Sequence, residues 1–199
     1  MISTEEMKQL EDNCDIPKIQ LMENAGRGIY TVLKEKFPDL KDKRILIASY
    51  HGNNGGDGFV AGRYLCEEAE TTILSVGDES KFKEEARINY IRIENNNKIQ
   101  LFFQTEDIVF DDYDIIIDAL LGTGTQGEIK EPIASVIREI NDSKAFKVAV
   151  DVPSGINPDT GEAADNSINP DLIITFHDIK NGLEKFKDKI AVVDIGIKT

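Results

Sequence analysis

The chain has 199 residues, of which 23 are Lys or Arg and 37 are Asp or Glu, so its formal net charge at pH 7 is −14. This excess of acidic residues argues against sequence-independent binding to nucleic acid or to anionic membrane surfaces. The length suits one domain over residues 1–199, and no apolar run approaches the roughly 20 residues that span a bilayer.

Two helices are predicted before the first strand. Ser3 has the character of an N-cap and is followed by acidic residues, which favours a short helix to about Asn13. Pro17 suits the start of a longer helix, in which apolar residues recur at helical spacing. Gly26 lies inside that helix, where a glycine costs about 1 kcal/mol relative to alanine. It indicates either close approach by a neighbouring element or simple helix packing.

Apolar segments and amphipathic segments then alternate along the chain. This alternation predicts an α/β fold with a parallel sheet covered by helices on both faces. Helices are predicted over residues 59–65, 80–95 and 131–141. Strands are predicted over residues 44–49, 71–76, 98–103, 114–121, 147–151, 171–176 and 189–195.

A glycine-rich segment, YHGNNGGDG at residues 50–58, follows the first predicted strand. Its four glycines favour a sharp turn before the helix at 59–65. Free N–H groups at the start of that helix would suit a phosphate. The segment lacks the Lys-Ser/Thr ending of a P-loop and the spacing of a dinucleotide fingerprint, so an ordinary tight turn is the alternative.

Oxygen-bearing side chains follow three of the predicted strands. They are Asn53, Asn54 and Asp57 after the first strand, Asp118 with residues 122–128, and Asp151 with Ser154. In a parallel sheet these ends share one edge, where we expect a single cleft that holds phosphates or a hard cation. Each acid alone could simply cap a turn. Because no His/Cys cluster indicates zinc and no Gly-x-Ser-x-Gly elbow is present, we take Asp151 as the candidate acid or base.

At these segments the sequence resembles the NAD(P)H-hydrate epimerase family, the YjeF N-terminal domain. The resemblance spans the chain and rests on residues 21–27, 52–58, 118–127, 150–155, 171–183 and 194–197 in the family's order. It implies a Rossmann-like three-layer αβα sandwich with a mostly parallel central sheet. It also implies interconversion of the R and S forms of hydrated NADH and NADPH, which carry water at C6 of the nicotinamide ring.

The resemblance also implies functions for individual residues. Asp151 would contact the substrate, and we expect it to be the catalytic group, because a carboxyl can act as acid when hydroxide leaves C6 and as base when water returns. A potassium ion would be held by Asn54, Asp118 and Ser154. The remaining substrate contacts would come from two loops: Asn53, Asn54, Gly55, Gly56 and Asp57 in the first, and Gly122, Thr123, Gly124, Thr125, Gln126, Gly127 and Glu128 in the second.

The sequence departs from the family at Tyr50, because members usually begin this loop Gly-x-Gly and this chain has Tyr50-His51-Gly52. The kinase-like dehydratase domain fused to some relatives is not expected after Thr199, so a separate dehydratase would act on the product. Family members commonly form homodimers. Lys180 either reaches a phosphate or caps a loop, and we favour the loop cap.

With two cysteines, Cys14 and Cys66, and no signal-peptide pattern, the chain is expected in the reducing cytoplasm. Relatives of this domain also occur in RNA-decapping scaffolds and in an apolipoprotein A-I-binding protein, so a non-catalytic nucleotide- or protein-binding module is one alternative. An NAD(P)-linked oxidoreductase is another, although it needs the dinucleotide fingerprint that is missing here.

Overall fold

The computed structural model describes residues 1–124 and 127–198. Within them, seven strands form one parallel sheet in the order β3-β2-β1-β4-β5-β6-β7. The strands are β1 (Arg44–Ser49), β2 (Glu70–Ser75), β3 (Ile99–Phe102), β4 (Ile115–Ala119), β5 (Phe146–Val150), β6 (Leu172–Phe176) and β7 (Ile190–Val193). The α-helices are α1 (Thr4–Asn13), α2 (Lys18–Lys36), α3 (Asn53–Leu65), α4 (Glu84–Glu94) and α5 (Ile133–Asp142).

Helices cover both faces of the sheet, which is why its strands are apolar on both sides. Along β1, Ile45 and Ile47 face a core that includes side chains of α2, α3 and α4. Leu46 and Ala48 point the other way, into a core that includes α5. The α/β fold and the three-layer arrangement predicted from the sequence are therefore confirmed, and every predicted strand is present.

Two predicted helix boundaries were wrong. Helix α3 begins at Asn53 instead of Phe59, so most of the glycine-rich segment is helical and not a turn. Helix α4 begins only at Glu84, after a 3-10 turn over Glu79–Lys81. The glycines of α3 serve close packing: a Cβ at Gly58 would lie 2.7 Å from both the Cβ of Ala119 and the Oγ of Ser49.

Gly26 also lies at a close helix contact, which confirms the first of the two readings of that residue. A Cβ at Gly26 would lie 2.4 Å from the Cβ of Val60 on α3. Helices α2 and α3 can therefore approach each other only because this position has no side chain. The contact fixes α3, and with it the start of the helix at Asn53, against the rest of the fold.

The strand order changes direction between β1 and β4, because β2 and β3 lie on one side of β1 and β4 to β7 on the other. In open α/β sheets, ligands bind beyond the carboxyl ends of the strands at such a point. Helix α3 starts directly above it. Among the helices that the structure describes, none is both long and apolar enough to cross a bilayer.

Candidate functional site

Asp118 and Ser154 join the ends of β4 and β5. Asp118 lies within β4, between Ala48 of β1 and Ala149 of β5, and is 1% exposed. Its Oδ2 accepts a hydrogen bond from the backbone N–H of Ser154 at 2.8 Å, and its Oδ1 accepts one from the Ser154 hydroxyl at 2.6 Å. The two residues predicted to be metal ligands therefore form one hydrogen-bonded unit.

Asn54 reaches the same unit from the first turn of α3. Its Nδ2 donates to the backbone carbonyl of Leu121 at 2.9 Å, and the backbone N–H of Leu121 donates to the Ser154 Oγ at 2.9 Å. The Oδ1 of Asn54 is buried and accepts no hydrogen bond from the residues described. The three predicted ligands thus meet around Leu121, and one of their buried oxygens lacks a partner.

This environment sets the ionisation of Asp118. Burial raises the pKa of its carboxyl group to about 6, although the hydrogen bonds from Ser154 and Leu120 act in the opposite direction. A cation at the carboxylate would favour the charged form, because it supplies the counter-charge that the buried site lacks. No group of three or more His, Cys, Asp or Glu in the described part of the chain is arranged to hold a metal ion. This donor set instead combines one carboxylate with amide, hydroxyl and carbonyl oxygens, which hard cations prefer.

Asp151 follows β5 directly and has an unusual backbone conformation, with φ at 62°. A non-glycine residue in this region costs roughly 1–3 kcal/mol, and such strain clusters at functional sites. Its Oδ1 accepts three hydrogen bonds: from the Thr175 hydroxyl at 3.1 Å, from the Phe176 N–H at 3.3 Å and from Lys180 Nζ at 2.5 Å. No hydrogen bond among the described residues uses Oδ2, so the carboxyl group is held by one oxygen and free at the other.

Lys180 is buried against Asp151, with 1% of its side chain exposed. Its ammonium group also donates to the Phe176 carbonyl at 3.0 Å and to the Thr175 hydroxyl at 3.2 Å. A buried ammonium needs such partners, because an unpaired charge in the interior is costly. The expectation that Lys180 caps a loop therefore misses its main contact, which is the ion pair with Asp151.

A small cleft of about 90 Å³ is lined by Phe176, whose N–H bonds to Asp151, together with Asn53 and Asp57 of α3. Asp151 and Lys180 themselves are not among its lining residues. Glu11 of α1 lines the same cleft. Burial raises the pKa of the Asp57 carboxyl well above its usual range, and the negative charges of Asp151 and Glu11 raise it further. Three carboxyl groups therefore influence one another at this edge of the sheet.

The start of α3 supplies backbone donors to the same edge. The N–H of Gly56 bonds to the Gly52 carbonyl, so the N–H groups of residues 53–55 have no partner within the helix. Gly55 and Gly56 are buried. A Cβ at Gly55 would lie 1.7 Å from the Tyr50 carbonyl oxygen, so no other residue fits there. The unusual Tyr50 turns its ring towards Gly77, after β2, and packs against His51 with the ring centroids 3.7 Å apart and the ring planes tilted by 37°.

The second predicted substrate loop lies partly on a different cavity. Gly127 and Glu128 line a space of about 360 Å³ together with Gly155, and Asn53 and Asp57 do not reach it. The predicted substrate residues therefore border two cavities, where the sequence predicts one cleft. Gly122 lies against Asn54, with a Cβ at that position 3.2 Å from the Asn54 Cβ. Thr123 is half-buried and Gly124 exposed, whereas the predicted contacts Thr125 and Gln126 lie outside the described residues.

Comparison with known proteins gives one family. The chain matches the model of the YjeF-related protein N-terminus over residues 18–182. It is 42% identical to the NAD(P)H-hydrate epimerase of Nitrosopumilus maritimus, covering 84% of this chain and 79% of the relative. It is 39% identical to the NAD(P)H-hydrate epimerase of Cenarchaeum symbiosum, covering 98% of this chain and 95% of the relative.

Longer relatives and a solved structure extend the comparison. The chain is 39% identical to the bifunctional NAD(P)H-hydrate repair enzyme Nnr of Archaeoglobus fulgidus, covering 98% of this chain but 41% of the relative. It thus spans about two fifths of that longer protein. The crystal structure of yeast Ynu0 superimposes with a TM-score of 0.84 over 96% of this chain and 86% of the yeast chain, at 21% identity. That similarity supports the fold alone.

Proposed function

The chain belongs to the family of YjeF-related N-terminal domains, and we propose that it is an NAD(P)H-hydrate epimerase that interconverts the R and S forms of hydrated NADH and NADPH. Two relatives of similar length carry that activity in their names and match most of this chain at 39–42% identity. The structural observation that carries the proposal is Asp151, whose carboxyl group is anchored through Oδ1 and accepts no hydrogen bond at Oδ2 from the described residues. Its hydrogen-bond partner Phe176 lines a cleft together with Asn53 and Asp57.

The chemistry requires a positioned proton donor and acceptor. C6 of the hydrated ring is bonded to the ring nitrogen and to a hydroxyl group. When the C6–O bond breaks, its electron pair leaves with oxygen, a proton from a carboxyl group converts the leaving hydroxide to water, and the nitrogen lone pair forms a C=N bond. Addition of water to the opposite face reverses these steps and returns a proton to a carboxylate. General acid–base catalysis of this kind typically contributes about 10²- to 10⁴-fold.

We assign the proton transfer at one face of the ring to Asp151. Its Oδ2 is the oxygen without a hydrogen bond among the described residues, and we propose that it faces C6. Thr175, the Phe176 N–H and Lys180 fix the other oxygen, so that the carboxyl group enters the reaction in one orientation. This replaces the sequence-based view of Lys180 as a loop cap with a positioning function.

We further propose that the predicted substrate contacts hold the dinucleotide across this edge. The N–H groups of residues 53–55, which have no partner within α3, and the α3 dipole favour a phosphate. The remaining contacts are those predicted from the sequence: Asn53, Asn54, Gly55, Gly56 and Asp57 in the first segment, and Gly122, Thr123, Gly124, Thr125, Gln126, Gly127 and Glu128 in the second. The larger cavity, lined by Gly127 and Glu128, would take the part of the dinucleotide distant from the reacting ring.

A potassium ion fits the unit formed by Asn54, Asp118 and Ser154. The Oδ1 of Asn54 is a buried oxygen without a partner among the described residues, and the Asp118 carboxylate is almost fully buried without a neighbouring cation in its hydrogen-bonded unit. We propose that these three residues hold the ion together with backbone oxygens. When bound, potassium would supply positive charge and little Lewis acidity, so its contribution would be to position the strand ends and the substrate phosphates.

We propose that a dehydratase consumes the S product, since some relatives are bifunctional repair enzymes by name. We also propose a homodimer in the cytoplasm. The homodimer and the location do not depend on the catalytic proposal, whereas the dehydratase does.

The direct test is to incubate the full chain with the purified R epimer of hydrated NADH or NADPH and to follow both epimers by chromatography. Conversion to an equilibrium mixture well above the rate in buffer is expected, and Asp151→Asn should lower kcat by about 10²- to 10⁴-fold. Asp188→Asn, at an exposed position, is the matched control. If the ligand binds but no conversion occurs, the chain is the non-catalytic binding module instead. Reduction or oxidation of the ring would indicate an oxidoreductase.

A further inference from the structure

The N-terminal segment is attached to the loop that carries Lys180. The N–H of Ile2 donates to the Ile179 carbonyl at 2.9 Å, and the N–H of Asn181 donates to the Ile2 carbonyl at 3.1 Å. Thr4 adds two hydrogen bonds to the carboxylate of Asp159, from its N–H at 2.8 Å and from its hydroxyl at 2.6 Å. Helix α1 is therefore fixed at the carboxyl edge of the sheet, although it precedes residues 18–182 that match the family model.

Glu11, in the last turn of α1, is the acidic residue that this arrangement brings to the small cleft. Its side chain is half-buried, and no hydrogen bond among the described residues uses its carboxyl oxygens. The other acids of the helix differ: Glu6 forms the capping box with Ser3, and Asp12 pairs with lysines. Burial raises the pKa of the Glu11 carboxyl, and the charge of Asp151 raises it further. Glu11 therefore presents at the cleft a carboxyl group that no described residue engages in a hydrogen bond.

The proposed reaction has a place for a second carboxyl group. Hydroxide leaves from one face of the ring, and water adds to the opposite face. A single carboxyl group on one side of a bound ring cannot donate a proton to one face and accept a proton at the other. In the R to S direction one group acts as the acid and the other as the base, and in the reverse direction they exchange functions.

We propose that Glu11 is this second catalytic carboxyl group, serving the face of the ring opposite to the one that Asp151 serves. The inference rests on the proposed epimerase function and adds a residue on a separate element. In one direction, the Glu11 carboxyl gives its proton to the departing hydroxide as the C6–O bond breaks. The Asp151 carboxylate, which is paired with Lys180, then takes a proton from the water whose oxygen forms the new C6–O bond. Proton exchange with solvent restores both groups, and no other reactant is consumed.

Several charged groups act on Glu11 and bear on its titration. The ammonium groups of Lys18 and Lys180 favour its charged form, whereas the neighbouring carboxylates oppose it. Those acting on Glu11 or lining the same cleft are Asp12 on α1, Lys18 on α2, Asp57 on α3, Glu85 on α4, Asp151 after β5 and Lys180 after β6.

The test compares Glu11→Gln, Glu11→Asp and Glu5→Gln in the full chain. Glu5 lies on the same helix but is exposed, so its substitution controls for the loss of one negative charge on α1. We expect Glu11→Gln to lower kcat about 10²-fold or more with little change in KM. We expect Glu11→Asp to keep at least tenfold more activity than Glu11→Gln, and Glu5→Gln to match the wild type. The pH profile of kcat/KM should lose one of its two limbs in Glu11→Gln, whereas loss of packing alone would lower the melting temperature without removing a limb.

The outcomes separate the two proposals. If the wild-type chain does not epimerise the substrate, both the proposed function and this inference fall. If the wild type is active and Glu11→Gln keeps its rate and both pH limbs, Glu11 is not catalytic and the proposed function stands. If Glu11→Gln loses activity only in proportion to lost folded protein, measured by its thermal unfolding, the catalytic assignment is also overturned.

Discussion

Lys180 and Asp151 form an ion pair at the end of β5, with Lys180 Nζ 2.5 Å from Asp151 Oδ1 and only 1% of the lysine side chain exposed. Because Thr175 and the Phe176 N–H contact the same oxygen, Oδ2 of the aspartate has no hydrogen bond from the part of the chain that the structure describes. The bridge between Ile2 and Lys180 connects this pair to the N-terminal segment. The pair therefore links the positioning of the proposed catalytic group to the stability of the fold.

Substituting Lys180 by methionine should reduce both stability and activity. The change leaves the Asp151 carboxylate partly buried without its cation, and removing one member of a buried pair costs about 3–5 kcal/mol. We expect a decrease of that order in the free energy of unfolding by urea. Lys187→Met, at an exposed position, should change it little. The double substitution Asp151→Asn with Lys180→Met should recover part of the loss, and strictly additive effects would show that the two groups are not coupled.

Asn54→Ala should abolish a stabilising effect of potassium. A bound ion stabilises the folded state by RT ln(1 + [K⁺]/Kd), about 2.7 kcal/mol at 100 times Kd, so KCl should raise the melting temperature above that in tetramethylammonium chloride at equal ionic strength. The substitution removes the buried Oδ1 that lacks a partner among the described residues. Asn97→Ala, at an exposed turn, is the matched control and should keep the potassium effect. An equal response in wild type and Asn54→Ala would exclude the proposed site.

Asp118 should make the stability depend on pH in potassium-free buffer. Its pKa is about 6 in the folded chain and 3.8 in the ordinary, solvated state. Between these two pH values the folded state holds a proton that the unfolded state has released. The contribution of Asp118 to the free energy of unfolding is therefore fully present below pH 3.8 and is lost as the pH rises through about 6. Urea unfolding of the wild type and of Asp118→Asn from pH 3.5 to 7.5 gives the slope of the free energy of unfolding against pH, and the difference between the two proteins is the part due to Asp118. Potassium should reduce it by favouring the ionised carboxylate, and identical slopes in the two proteins would contradict the assignment.

The sequence predicted the parts of this site that lie on strands. Asp118 ends one strongly apolar run, and Asp151 directly follows another. Because both runs are buried strands of one parallel sheet, the two aspartates lie close to the core at the same edge of the sheet. Asn54 was predicted at the same edge for the same reason. The convergence of these residues with Ser154 thus follows from periodicity and strand polarity alone.

Other features depend on tertiary contacts that a single sequence does not reveal. The segment at 53–58 is helical because its glycines allow α3 to pack closely on its neighbours, whereas composition alone favours a turn. Lys180 lies 29 residues after Asp151, and nothing in the spacing indicates that its amine turns inward. Glu11 reaches the cleft only because Ile2 pairs with a loop almost 180 residues later. The sequence gives one indication that Glu11 has a function of its own: it lies near the end of a predicted helix without an obvious partner.

The contact between Gly26 and Val60 predicts the consequence of a single added methyl group. A Cβ at Gly26 would lie 2.4 Å from both the Cβ and the Cγ1 of Val60 and 2.8 Å from the Ala61 nitrogen, so α2 and α3 would have to separate. Overpacking of this kind typically costs about 1–3 kcal/mol, which outweighs the roughly 1 kcal/mol that alanine gains over glycine in a helix. We therefore expect Gly26→Ala to lower the free energy of urea unfolding. Gly124→Ala serves as the control, because an added Cβ there has no neighbour within 4 Å among the described residues. Adding Val60→Ala to Gly26→Ala should restore part of the stability if the clash is the cause, and a Gly26→Ala protein as stable as the wild type would mean that the two helices can separate without loss.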